Sequence, residues 1–147
     1  MHLFQGPFYR LHYPDGWEAE IIENIPAFYD PEGGGALQIV AARRDPEMPF
    51  DIEAEMTRYL ERHGMVYSEE RVARFDTAIG MEAMACEFMR DNRFWLVQML
   101  CRGDMLLLIL FNSDTVPDQE LALKISAVIR SVQVEPPRKA TDDDQDG

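Results

Sequence analysis

The chain is short of cysteine, of basic residues and of long apolar runs. Cys86 and Cys101 are its two cysteines, too few for a disulfide scaffold and wrongly spaced for zinc. Its longest apolar run, Met105–Phe111, has seven residues, whereas a membrane-spanning helix needs about 20. The start of the chain, Met1–Pro7, has neither the basic residues nor the apolar core of a signal peptide. We therefore expect a cytoplasmic protein.

Acidic residues outnumber basic ones by 27 to 14, which gives a formal net charge of −13. Removing Arg138–Gly147, which contributes two basic and four acidic residues, still leaves −11 on the rest of the chain. Such a surface repels the phosphate backbone of nucleic acids and anionic lipid alike. We expect neither nucleic acid nor membrane as a partner. The charge is otherwise explained by solubility alone.

The two cysteines are predicted to be free thiols that pack as small hydrophobic side chains. A hairpin turn at Asp91-Asn92 would place Cys86 opposite Val97, four residues away from Cys101. At about 3.3 Å per strand residue this offset separates the sulfurs by roughly 13 Å, too far for a disulfide.

Alternation, turn residues and helical periodicity predict the elements of the first half. Asp51 is a suitable N-cap for the helix and Gly64 a suitable residue just beyond its end. The predicted strands are Phe8–Tyr13, Trp17–Ile22, Ile25–Asp30 and Ala36–Arg43, and the predicted helix is Asp51–His63.

The second half is predicted to be a β-meander followed by a helix. The dipeptides Asp91-Asn92 and Gly103-Asp104 suit two-residue hairpin turns, and Thr115 is the predicted N-cap of the helix. The predicted elements are the strands Arg71–Phe75, Met81–Arg90, Arg93–Arg102, Met105–Phe111 and Val132–Glu135 and the helix Pro117–Ser131.

This order of elements predicts an α+β fold, a three-layer α/β/α sandwich around an antiparallel sheet. Met105–Phe111 is apolar on both faces, as in a central strand covered on both sides. Residues 1–135 are expected to form a single domain. Residues 136–147 carry four aspartates and little apolar surface, so we expect a disordered acidic tail.

Short segments along this pattern resemble the PsbP-like fold superfamily. They are Tyr13–Trp17, Phe28–Pro31, Gly35–Ile39, Trp95 in the meander and Ile129–Val132 near the end of the last helix. The resemblance runs from Phe8 to Val134 and extends to DcrB-like proteins and uncharacterised bacterial domains. It implies a non-enzymatic scaffold that binds proteins, with no catalytic residues to transfer.

No pattern of residues predicts a catalytic, cofactor-binding or metal site. Gly33–Gly35 precedes a strand and lacks a following lysine, so it indicates a turn and not a phosphate loop. The three histidines are scattered. Glu18, Glu20 and Glu23 could form a patch beside Asp30 and Glu32, but carboxylates on a half-exposed strand are typically solvated.

We therefore predict a cytosolic protein-interaction domain, an adaptor or chaperone-like protein without catalytic activity. Its partner would be another protein or a second copy of this chain. The alternative is a small-molecule-binding domain with a pocket between the sheet and a helix. The candidate residues for either surface are Trp17, Tyr59, Met65 and Trp95.

Overall fold

The computed structural model describes residues 1–136, which form ten strands and two helices. Apart from Pro136, the predicted acidic tail lies outside the described residues. The strands are β1 (His2–Gln5), β2 (Tyr9–Tyr13), β3 (Glu18–Ile22), β4 (Ile25–Tyr29), β5 (Ala36–Arg43), β6 (Val72–Asp76), β7 (Glu82–Arg90), β8 (Arg93–Arg102), β9 (Met105–Ser113) and β10 (Gln133–Val134); the helices are α1 (Ile52–Arg62) and α2 (Gln119–Arg130).

The strands form two sheets, and the predicted α+β class is confirmed. Seven strands follow the order β3-β4-β5-β9-β8-β7-β6, and the other three follow the order β1-β2-β10. Strand β1 pairs antiparallel with β2, as does β10. The prediction of one sheet was wrong, because β1 is too short to give a strand signal and β2 pairs away from the larger sheet.

The described residues divide into two compact units. The first comprises Met1–Val40, Glu87–Val97 and Ile109–Glu135, and the second comprises Ala41–Cys86 and Gln98–Leu108 together with Pro136. Strands β5, β7, β8 and β9 contribute residues to both units. That residues 1–135 behave as one domain stays a prediction. Neither described helix is long and apolar enough to cross a membrane.

In the first unit, helix α2 starts later than predicted. Its N-cap is Asp118, whose carboxylate accepts a hydrogen bond from the Leu121 amide at 2.8 Å. The prediction of Thr115 as N-cap was wrong, because the helix begins at Gln119, directly after Asp118. The other end is held by Ser131, whose hydroxyl oxygen accepts from the His12 amide at 2.8 Å.

In the second unit, helix α1 matches its prediction closely. Asp51 is the N-cap and accepts from the Ala54 amide, and Gly64 follows the helix with φ of +74°. One stripe of α1 is buried, formed by Ile52, Met56, Tyr59 and Leu60. Both cysteines are buried thiols that do not form a disulfide, as predicted.

A buried ion pair joins the β8–β9 turn to the segment before α1. The Arg43 guanidinium donates to the Asp104 carboxylate at 3.2 Å, and the Asp104 side chain is 1% exposed. Main-chain bonds reinforce the pair: the Arg44 amide donates to the Asp104 carbonyl and the Phe50 amide to the Gly103 carbonyl. These contacts fix the loop that leads into α1.

The triple glycine forms the predicted turn, and one of its residues is sterically obligatory. All three glycines have positive φ, and Gly35 has φ of +92°. A Cβ on Gly35 would lie 2.2 Å from the Asn112 carbonyl oxygen and 2.7 Å from the Ser113 Cβ. No side chain fits there without moving backbone of β9.

Gly35→Ala should therefore lower the free energy of unfolding by about 3 kcal/mol or more, through backbone strain and the clash together. Urea unfolding monitored by circular dichroism measures the change. Gly16→Ala is the matched control, because nothing lies within 4 Å of its Cβ position. Equal stability of the two variants would contradict the close approach of β5 and β9.

Candidate functional site

The four residues predicted from the sequence fall in both units. Trp17 and Trp95 belong to the first unit, and Tyr59 and Met65 to the second. Trp17 is 5% exposed and Tyr59 is 8% exposed, so neither presents its ring to a large partner. Met65 and Trp95 are half-buried. Trp95 stacks on Phe88, while Tyr59 stacks on His63 with 4.3 Å between ring centroids.

An open groove of about 730 Å³ lies along α1 in the second unit. The Arg44 guanidinium lies 4.0 Å above the Phe50 ring and 3.1 Å from the Glu55 carboxylate. Arg58 pairs with the same carboxylate. The groove is lined by Arg44, Glu55, Arg58, Glu61 and Arg62. The charges of these lining residues largely neutralise one another. The groove is open and lined by charged side chains, so we interpret it as the solvated face of α1.

A smaller cleft of about 250 Å³ lies in the first unit, where the glycine turn meets the start of α2. Asp30, Asp118 and Glu120 make it acidic, and Lys124 pairs with Glu120 at 3.5 Å. Within residues 1–136, no group of three or more histidine, cysteine, aspartate or glutamate side chains is arranged to hold a metal ion.

The β3–β4 hairpin carries the most exposed strand of the first unit, β3. Its turn, Glu23-Asn24, has φ of +52° and +68°, the pattern of a type I′ turn. Every residue of β3 is exposed. Ile21 is 66% exposed and Ile22 is 50% exposed, although β-branched apolar side chains are normally buried. The hairpin therefore presents apolar surface at its tip.

Strand β3 ends the order of the seven-stranded sheet, so its outer edge has no strand partner among the described residues. The tip also extends past β5, because the pairing of β4 with β5 covers Ala27 to Tyr29. Pro26, which lacks an N–H group, lies opposite Ile21 in this overhang. A proline is tolerated there because no ladder hydrogen bond is required of it.

One face of β3 is acidic, and a tyrosine from β4 organises it. The Tyr29 hydroxyl shares its single proton between the Glu20 carboxylate, at 2.5 Å, and the Glu18 carboxylate, at 3.3 Å. The hydrogen bond to Glu20 is the main cause that raises the pKa of the Tyr29 phenol to about 12. The two carboxylates of this face are therefore held side by side.

The other face of β3 carries Ala19 and Ile21. This face lies beside an aromatic cluster around Phe28, but the cluster does not cover it. Ala19 lies opposite Phe28. The Phe28 ring packs edge-on against Phe4 with 5.1 Å between centroids and lies 5.2 Å from Tyr13. The cluster buries Phe28 completely but stops short of β3. Acidic and apolar side chains thus alternate along one open edge.

Ile21 and Ile22 were missed among the candidate residues. The sequence does show that they break the strict alternation of Trp17–Ile22, because the last two residues of that strand are both apolar. That both are exposed depends on the position of β3 at a sheet edge, which strand order decides.

Most of the methionines fill the core and do not form a methionine-rich binding surface. Met48 and Met89 are exposed, but Met65, next to α1, is half-buried. Five others are fully or almost fully buried: Met56, Met81, Met84, Met99 and Met105.

The sequence matches no family model and no curated protein, but its structure resembles solved ones. The cyanobacterial PsbP protein (CyanoP) of Synechocystis sp. PCC 6803 matches with a TM-score of 0.63 and 12% identity, over 90% of this chain and 91% of that one. A protein of Bacteroides thetaiotaomicron matches with a TM-score of 0.61 and 15% identity, over 91% of this chain.

These likenesses confirm the predicted PsbP-like fold. The chain spans about half the length of the Bacteroides protein, since the match covers 48% of that chain. The structural matches show a shared fold, but sequence identities this low say nothing of activity or partners.

Glu20→Gln should lower the pKa of the Tyr29 phenol from about 12 toward the ordinary value, because the variant removes the charged acceptor of its hydrogen bond. The measurement is the pH titration of the tyrosine Cζ chemical shift by NMR. Glu32→Gln, an exposed position beyond β4, is the control and should leave Tyr29 unchanged. An ordinary Tyr29 pKa in the unsubstituted protein would show that the hydrogen bond is not formed.

Proposed function

We propose that this chain is a cytoplasmic protein-interaction domain, an adaptor or chaperone-like protein without catalytic activity, whose contact surface is the β3–β4 hairpin. We further propose that residues 1–135 act as one domain with the three-layer architecture that the sequence predicts. The observation that carries the proposal is the exposure of all of β3, including Ile21 and Ile22.

An exposed pair of isoleucines is a reason for binding because it is unfavourable in water. Burying one such side chain contributes about 1.5–3 kcal/mol, so covering Ile21 and Ile22 supplies a substantial part of the free energy of a complex. Exposed apolar surface next to charged groups is typical of protein contact sites. The tip is such a surface, since Glu20 and Glu23 flank the isoleucines.

The charge of the chain supports a protein partner over nucleic acid or a membrane. The formal net charge is −13, and β3 itself adds Glu18 and Glu20 to the contact surface. Phosphate groups are repelled by such a surface. A protein with basic residues is attracted to it, and its association is accelerated.

The alternative, a small-molecule-binding domain, has one observation in its favour. The indole N–H of Trp17 is buried and has no hydrogen-bond partner among the described residues. A bound polar molecule would satisfy it, since an unpaired buried donor is costly. The two cavities described above are lined mainly by charged side chains and do not include Trp17, Tyr59 or Trp95, so the hairpin has the stronger support.

The experiment is affinity capture from extract of the source cells, with the tagged protein and a tip variant, Ile21→Ser/Ile22→Ser. The unsubstituted protein should recover one or more proteins in fixed proportion, and the tip variant should lose them. Leu123→Ser/Val116→Ser is the matched control, because these two apolar residues are exposed elsewhere in the first unit.

Partners retained by the tip variant and lost by the control would contradict the proposal that the hairpin is the contact surface. Capture of no protein by any form would contradict the proposed function itself. Thermal unfolding of all three forms shows whether a lost partner reflects a lost surface or a lost fold.

A further inference from the structure

We infer that β3 accepts an extended segment of the partner as an added strand, and that this segment alternates basic and apolar residues. The inference rests on the proposed function and specifies its binding mode and the chemistry of the partner. Addition of a strand to an open sheet edge is a known mode of peptide recognition, in which main-chain bonds supply affinity and alternate side chains supply specificity.

The hairpin geometry determines which main-chain groups are available. In a two-residue hairpin the residues that flank the turn form a hydrogen-bonded pair, and pairs alternate from there. Ile22 faces Ile25 next to the turn, and Glu20 faces Ala27, so both direct their main-chain groups toward β4. The N–H and C=O groups of Ala19 and Ile21 consequently point outward.

The open edge has a defined length. Trp17, just before β3, donates its N–H to the Pro14 carbonyl and is not available to a partner. Beyond Ile22 the chain turns back through Glu23-Asn24. The edge therefore offers about four hydrogen bonds, two to Ala19 and two to Ile21, enough for a short extended segment.

The side chains along the edge determine the partner's sequence pattern. On one face, Glu18 and Glu20 are held together by the Tyr29 hydroxyl. Lysine or arginine at alternate positions of an added strand would lie beside these carboxylates. On the other face, Ala19 and Ile21 favour apolar residues in the partner. Apolar side chains would bury these two residues against apolar surface, whereas polar side chains would not.

The same charges argue against a second copy of this chain as the occupant. Two β3 strands that pair antiparallel over all five residues would place Glu20 opposite Glu20 of the other copy. Like charges directly opposite one another in a sheet are destabilising, and two chains of charge −13 repel each other as wholes. The edge is protected from self-pairing and remains open to a basic strand.

The test uses a synthetic peptide of alternating lysine and valine, capped at both ends, titrated into the isotope-labelled protein. Backbone amide shifts should change along β3, and hydrogen exchange at the Ala19 and Ile21 amides should slow on binding. Two control peptides are an alternating glutamate–valine peptide and the lysine–valine peptide N-methylated on alternate residues. The first removes charge complementarity and the second blocks the main-chain bonds, so both should bind at least about tenfold more weakly.

Ala19→Pro tests the edge from the protein side. It removes an outward N–H while leaving the β3–β4 ladder its inward bonds, so peptide affinity should fall about tenfold. Ala19→Val keeps the N–H at the same position and should bind as the unsubstituted protein does. If Ala19→Pro proves unstable in thermal unfolding, the N-methylated peptide decides the question on unaltered protein.

The charge requirement is tested separately by Glu18→Gln/Glu20→Gln. This variant should bind the lysine–valine peptide several-fold more weakly and with a smaller dependence on salt concentration. Glu69→Gln/Glu70→Gln removes the same charge from exposed positions in the second unit and should have little effect. Equal losses in the two variants would mean attraction to the acidic chain as a whole and would overturn the inference.

The results separate the binding mode from the proposed function. Equal binding of the N-methylated peptide, or unchanged exchange at Ala19 and Ile21, would overturn strand addition. A dimer that forms through β3 would overturn the basic partner segment as the occupant of the edge. If capture of a cellular partner still depends on Ile21 and Ile22, the hairpin would remain the contact surface by another mode. If neither the peptide nor a cellular partner depends on the hairpin, both proposals fail.

Discussion

The burial of one phenylalanine determines which part of the first unit is packed and which part is exposed to solvent. Phe28 is inaccessible to solvent, held between Phe4 and Tyr13, and burial of such a ring contributes about 1.5–3 kcal/mol. It anchors β4, and β4 in turn positions β3 through main-chain pairing. Because the cluster does not extend to Ala19 and Ile21, the hairpin is rigidly attached yet uncovered beyond this point.

The sequence predicted turns and helix ends well where the residue concerned has only one structural role available to it. Asp91-Asn92 adopts positive φ at both positions, as a tight hairpin turn requires, and Asp51 caps α1. The predicted start of α2 was wrong because two side chains within four residues are able to cap a helix, Thr115 and Asp118, and the Asp118 carboxylate caps this one. Such competition is decided by the folded environment, which a sequence pattern does not contain.

The candidate site was predictable only in part, for the same reason. The alternation of Glu18 and Glu20 with apolar residues correctly indicates a strand with a solvated face. Whether Ile21 is buried depends on the order of strands, and order is a property of pairing between distant segments. Aromatic residues such as Trp17 and Tyr59 are conspicuous in the sequence, yet their large apolar area favours burial, and both are core residues here.

The fold does not depend on a disulfide between its two cysteines. Cys86 and Cys101 are both buried and do not form a disulfide, and burial raises the pKa of the Cys101 thiol to about 11. Since oxidants and disulfides react with thiolates, the Cys101 thiol reacts slowly with them at neutral pH. Reduction therefore has no disulfide between these two residues to break.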